Sequence, residues 1–150
     1  MDKVRLPKTA DYQNEPVRYP ALERLDVMAE ASTIEQQYRN IVLNQVNNHC
    51  LRLAVIEGDY PWHYHPHSDE LFLIVEGSLF IDLADGCEMR LGPWQSVTIP
   101  ANTIHRTRAV TRTVNLCFEE LAAETVFLRR PHDEYSAFGV GLVASLGRTR

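Results

Sequence analysis

The sequence predicts an all-β domain, an antiparallel sandwich or barrel, from three observations. From about Tyr38 onward, short runs rich in β-branched, aromatic and leucine side chains follow one another. Turn chemistry separates them: Asn47-Asn48, Gly58-Asp59, Gly77-Ser78, Asp85-Gly86 and Gly92-Pro93. No long amphipathic helical pattern intervenes, so parallel β-α-β units are not expected.

Taken in order, residues 1–37 read as an N-terminal arm with one short helix. The first 20 residues carry three prolines and many polar side chains, which suits an extended lead-in. In "ALERLDVMAEAS", Leu22, Leu25, Val27 and Met28 fall near helical spacing among good helix formers. This region is expected to cover a barrel end or to reach a neighbouring subunit.

Residues 38–128 supply the barrel. The strand candidates are "NIVLNQV", "HCLRLAVIE", "ELFLIVE", "LFIDLA", "CEMRL", "SVTIP", "IHRTRAV" and "RTVNLCFEE", with "TVFL" as a last addition. Asn-Asn and Asp-Gly tolerate positive φ and suit tight hairpins. Residues 129–150 form a tail expected to wrap the barrel or fray.

Bulk properties narrow the function. At 150 residues, 45% hydrophobic and 23% charged, the chain fits one domain with a real core. A net charge of −5 without a basic cluster argues against nucleic acid or an anionic membrane surface as the partner. The longest bulky apolar run, Leu71 to Val75, is far short of the about 20 residues a membrane helix needs. The N-terminus lacks an apolar signal region, and Cys50, Cys87 and Cys117 show no paired spacing. A cytoplasmic protein with free thiols is the expectation.

The chemistry concentrates in "WHYHPHSDELFLIVEG", Trp62 to Gly77. Strand alternation puts His63 and His65 on one face and turns Trp62 and Tyr64 to the other. Pro66 and Ser68 break the extended path, and pairing is expected to resume at Glu70. Glu70, Phe72 and Ile74 then share a face. If that face looks inward, two imidazoles and a carboxylate can meet at the mouth of the core. Such a set suits a borderline divalent ion: Fe, Mn, Ni, Co or Zn. A fourth ligand is offered by His105 in "IPANTIHRTRA", where His105, Thr107 and Ala109 share one face and Arg106 and Arg108 the other. Ligation needs neutral imidazole, so affinity should weaken as pH falls through the histidine range.

These segments resemble the two motifs of the cupin superfamily. The first, G-x5-HxH-x3/4-E-x6-G, is matched by Gly58, His63, His65, Glu70 and Gly77, with a first spacer one residue shorter. The second, G-x5-PxG-x2-H-x3-N, is matched by Gly92, Pro100, Asn102, His105 and Ala109, with a first spacer two residues longer. Asn102 stands where the family prefers Gly and Ala109 where it has Asn. The resemblance spans about residues 38–120 and implies a double-stranded β-helix, a small jelly-roll barrel. It also implies one metal inside on His63, His65, Glu70 and His105, and a homodimer as the assembly.

The resulting expectation is a metalloenzyme acting on a small polar or anionic organic molecule, of dioxygenase, isomerase or lyase type. Phe72, Ile74, Asn115 and Arg52 are the candidate pocket residues, Arg52 for an anionic group. With Glu70 a ligand, acid–base chemistry falls to His67, Tyr60 or a metal-bound hydroxide. The competing readings are a non-catalytic module that binds or senses a small ligand at its metal, and a metal that only stabilises the barrel.

Overall fold

A computed structural model describes residues 9–133. Two short helices, α1 (Thr9–Gln13) and α2 (Val27–Ser32), precede nine strands. These are β1 (Tyr38–Val46), β2 (His49–Asp59), β3 (Trp62–Tyr64), β4 (Glu70–Glu76) and β5 (Leu79–Leu83), followed by β6 (Glu88–Leu91), β7 (Ser96–Ile99), β8 (His105–Glu120) and β9 (Val126–Leu128). All described pairings are antiparallel, within one curled nine-stranded sheet.

The sheet is organised on β8. "IHRTRAV" and "RTVNLCFEE" form one 16-residue strand rather than two. Its first half pairs with β5, from Phe80↔Arg108 to Leu83↔His105, and its second half with β4, from Leu71↔Phe118 to Glu76↔Val114. Along its other edge runs β2, from Asp59↔Arg108 to His49↔Glu120. Between the halves, Val110, Thr111 and Arg112 are exposed. The strand continues because Thr, Val and Arg all accept extended backbone, and no Gly or Pro interrupts it.

Strand alternation sorts side chains into two cores. On the concave side, Ile56, Phe72, Ile74, Leu79, Ile81, Leu91, Ile99, Ala109 and Cys117 pack together. On the convex side of β1, β2 and β8, Ile41, Leu43, Leu53, Val55 and Val114 pack against Ala31 and Ile34, with Tyr19, Leu25 and Val27 around them. Residues 17–34 therefore lie over a barrel face rather than over its end. This cover explains why "LAVI" is apolar on both faces. Arg18 and Tyr19 extend it by donating their backbone N–H groups to Val42 and Leu43 carbonyls.

The helix expected over "ALERLDVMAEAS" is confined to its second half. Asp26 adopts extended φ and ψ, and its carboxylate accepts from the Ala29 N–H as an N-cap. Leu22 has φ +68°, outside the helical region, so no helix runs through it. In the arm before it, α1 forms a single helical segment where an extended lead-in was expected. The far tail, 134–150, lies outside the described residues. No described helix is long and apolar enough to cross a membrane.

Two turns position the site. Asn47 takes φ +52° in the Val46↔His49 hairpin, as Asn-Asn predicts. Asn102, at φ +63°, takes the left-handed conformation that a Gly would supply, and its N–H donates to the His65 carbonyl at 2.8 Å. The loop before β8 thereby braces the loop after β3.

Candidate metal centre

His63 lies on β3 directly opposite His105, the first residue of β8. Antiparallel neighbours carry their side chains to the same face, and the two rings sit 4.3 Å apart between centroids. His65 follows just past the end of β3, and Glu70 opens β4 opposite Ile99. All four side chains are buried, and one ligand atom from each lies within 4.8 Å of every other.

The imidazoles are held by the ring nitrogens that face away from this point. His63 Nδ1 lies 2.8 Å from the Pro61 carbonyl, His65 Nδ1 3.0 Å from Glu124, and His105 Nδ1 2.8 Å from Thr103. A carbonyl only accepts, so each Nδ1 must carry the proton. Each Nε2 is then directed at the shared centre, where it offers a lone pair once its ring is neutral. His105 Nε2 is fully buried and makes no hydrogen bond, although Glu70 Oε2 is 3.4 Å away. An orphaned buried nitrogen beside two further imidazoles and a carboxylate fits a divalent transition metal. The carbonyls behind the rings are the outer partners that fix metal-binding histidines.

Charge is finely set here. Burial opposes ionisation of Glu70, but interactions with the His105 and His65 imidazoles outweigh it and hold the carboxyl well below its usual range. Burial alone would lower His65, yet its 3.0 Å contact with Glu70 Oε2 pushes it up to about 9. His63 is lowered to about 3, by burial first and then by His105. One proton is therefore stored on the His65–Glu70 pair, while His63 stays neutral.

A cavity of about 50 Å³, room for a few waters, opens beside the centre. Of the expected pocket residues, Phe72, Asn115 and Arg52 line it, as does Tyr60. Ile74 shares their face but lies deeper, wholly within the concave core. Tyr60 sits edge-on to His63 at 5.1 Å and hydrogen-bonds the Tyr12 hydroxyl from α1. Burial pushes its phenol well above the ordinary value, so it is a neutral hydroxyl there. His67 stands apart: it is exposed, in the turn between β3 and β4, among residues such as His49, Asp69 and Glu120 on the surface. Pro66 ends the alternation that would have turned His67 out of the strand plane in a predictable direction.

Trp62 and Tyr64 do not line the cavity. Arg106 lies over the Trp62 ring at 5.1 Å, and Arg106 and Arg108 meet Asp82 on the outer face, as strand parity requires.

Sequence reasoning missed Glu119. It lies on the Asn115–Cys117 face of β8, buried, with Oε1 2.9 Å from Arg52 Nε and Oε2 3.7 Å from His65 Nε2. Burial, reinforced by the charge of Glu70, raises its carboxyl to about 7. The signal was present: counting by two from Asn115 through Cys117 reaches Glu119. A Phe-Glu-Glu strand end nonetheless looks like a solvated terminus. Its partner Arg52 is buried rather than exposed and also contacts Asn40 Oδ1 at 3.4 Å.

Comparison with known proteins agrees with this geometry. The Cupin_2 family, the cupin domain, matches residues 51–118. The uncharacterized protein YdbB of Bacillus subtilis (strain 168) is 47% identical over 103 residues, covering 69% of this chain and 91% of that protein. Among solved structures, a cupin-2 domain protein from Shewanella frigidimarina NCIMB 400 superposes with a TM-score of 0.61 at 25% identity. That match covers 64% of this chain and 93% of the other. A Neisseria meningitidis protein superposes equally well, at 0.61 and 26% identity, covering 65% and 99%. Four inward His and Glu side chains in motif order, a curled antiparallel sheet and these relatives agree: the chain belongs to the cupin superfamily.

Proposed function

We propose that this chain holds one divalent transition metal, Fe, Mn, Ni, Co or Zn, on His63, His65, Glu70 and His105. In this reading it acts as a metalloenzyme on a small polar organic molecule. The observation that carries the reading is the orientation of the ligands. Three Nε2 atoms and a carboxylate converge from β3, β4, β8 and the loop after β3, with every Nδ1 tied to a carbonyl. A histidine set that merely filled a core would not leave His105 Nε2 unpartnered.

When bound, the metal supplies Lewis acidity toward an oxygen-bearing substrate and, for a redox-active ion, electron transfer. The chain's own residues supply the rest. Phe72, Ile56 and Ala54 wall the cavity and limit water. Asn115 and the Arg52–Glu119 pair give polar contacts that orient a ligand, and the neutral Tyr60 hydroxyl borders His63. Dioxygenase, isomerase and lyase chemistry all fit a site of this composition.

Metal analysis of the purified protein tests the first half of the reading. A turnover and O₂-uptake screen with small catechols, thiols, keto acids and hydroxy acids tests the second. Near-stoichiometric metal with substrate-dependent turnover is expected. Tight metal with ligand capture and no turnover would favour a binding module. No stoichiometric transition metal after reconstitution would overturn the assignment.

A further inference from the structure

Glu119 is a buried carboxylate with one oxygen left without a hydrogen-bond partner among the described residues. Oε1 faces Arg52 Nε at 2.9 Å, whereas Oε2 is buried and has no hydrogen-bond partner among the described residues. Oε2 borders the cavity 3.7 Å from His65 Nε2, on the metal-facing edge of that ring. A buried acceptor left unpaired is costly, and a ligand that brings a donor recovers that cost. Arg52 cannot be read in isolation beside it. Its guanidinium pairs by charge with Glu119 on one side and contacts Asn40 on the other, although its Nε, like Glu119 Oε2, has no hydrogen-bond partner among the described residues. A carboxylate or phosphate approaching Arg52 would also meet the free oxygen of Glu119, and like charges at that range repel.

We propose that Glu119 Oε2 accepts the hydrogen of a substrate hydroxyl beside the metal ligands, so that the site selects hydroxyl-bearing oxygen chelators, such as 2-hydroxy acids, over their keto counterparts. The inference rests on the metal reading above and narrows its substrate class. Arg52 is then a positioning residue: it holds Glu119 Oε1 and leaves Oε2 free for the ligand. Asn115, on the same face of β8, borders the same space.

The test uses the full chain loaded with Co(II) at pH 8, titrated separately with L-lactate, D-lactate and pyruvate, and followed by visible cobalt absorption. A site built around a substrate hydroxyl should bind one lactate enantiomer at least about tenfold more tightly than pyruvate. Glu119→Gln, which keeps the shape but offers an N–H beside its oxygen, should bring that ratio to within about threefold. Cobalt content measured on the same samples separates loss of metal from loss of discrimination. Wild-type protein that binds lactate and pyruvate within threefold overturns the inference without recourse to any variant. So does a Glu119→Gln protein that keeps the tenfold preference, or a cobalt-loaded site that no probe perturbs. A chain that takes up no cobalt overturns the metal reading instead.

Discussion

Metal binding should expel a proton, and the structure gives the number. His65 is pushed up to about 9 because Glu70 Oε2 lies 3.0 Å from its Nε2. At pH 8, one unit below that value, about 0.9 of the molecules carry the proton on the His65–Glu70 pair. Ligation needs that Nε2 lone pair, so each metal bound at pH 8 should release about 0.9 proton. The same unit costs about 1.4 kcal/mol, so affinity should rise about tenfold from pH 8 and level off above His65's value. Calorimetric titration with Mn(II) in buffers of different ionisation enthalpy counts the proton directly. Glu70→Gln removes the carboxylate that raises His65. Burial then works against only the weaker pull of Glu119 and the Glu124 carbonyl, so that variant should release clearly less proton at pH 8 than the wild type, besides binding more weakly. Release below about 0.3 in the wild type, or equal release from both proteins, would refute the coupling of His65 to Glu70.

Other perturbations follow from the same geometry. His105→Ala removes the unpartnered Nε2 and should leave most of the chains without metal by elemental analysis; full occupancy would sink the ligand assignment. Gly77→Ala should destabilise the fold by about 3 kcal/mol in urea titration. Gly77 sits at φ +87°, and a Cβ there would meet Thr113 Oγ1 at 2.5 Å and the Arg112 carbonyl at 2.9 Å. Ile74→Ala, fully buried in the concave core, should cost about 2–5 kcal/mol in the same assay. On the acid side, His63 is lowered to about 3 in the fold against an ordinary 6.5, so the unfolded chain binds the extra proton. That lowers stability as pH drops from about 6.5 toward 3, but Glu119, raised to about 7, binds the extra proton in the fold and offsets it down to about 4.5. The urea midpoint should therefore change little to about pH 4.5 and fall below it, with His63 contributing a slope up to about 1.4 kcal/mol per unit.

What the sequence made legible follows strand parity. His63, His65 and Glu70 could be placed together because alternation needs no knowledge of which strands pair. His105 came from the same counting, with Arg106 and Arg108 marking the outer face; their meeting with Asp82 bears this out. Parity failed where the chain leaves the strand. His67 sits beyond Pro66 in a turn, and no periodicity says where a turn residue points. It also failed where burial depends on an added layer. Leu53 and Val55 face residues of the N-terminal segment, and the sequence carried no pairing rule that would have brought that segment onto β1 and β2.

The Arg52–Glu119 pair marks a different limit. Each residue alone has a solvated surface as its default, and the two meet only through the register of β2 against β8, where Arg52 lies opposite Cys117 and Cys50 opposite Glu119. That register also fixes the chemistry, because one strand carries His105 at its start and Asn115, Cys117 and Glu119 near its end. A slip of one residue along β8 would turn His105 and Glu119 outward together. The candidate metal centre and the cavity beside it are thus set by a single structural choice. Long apolar pairing on both edges of β8, with β2 on one side and β4 and β5 on the other, is what holds that choice in place.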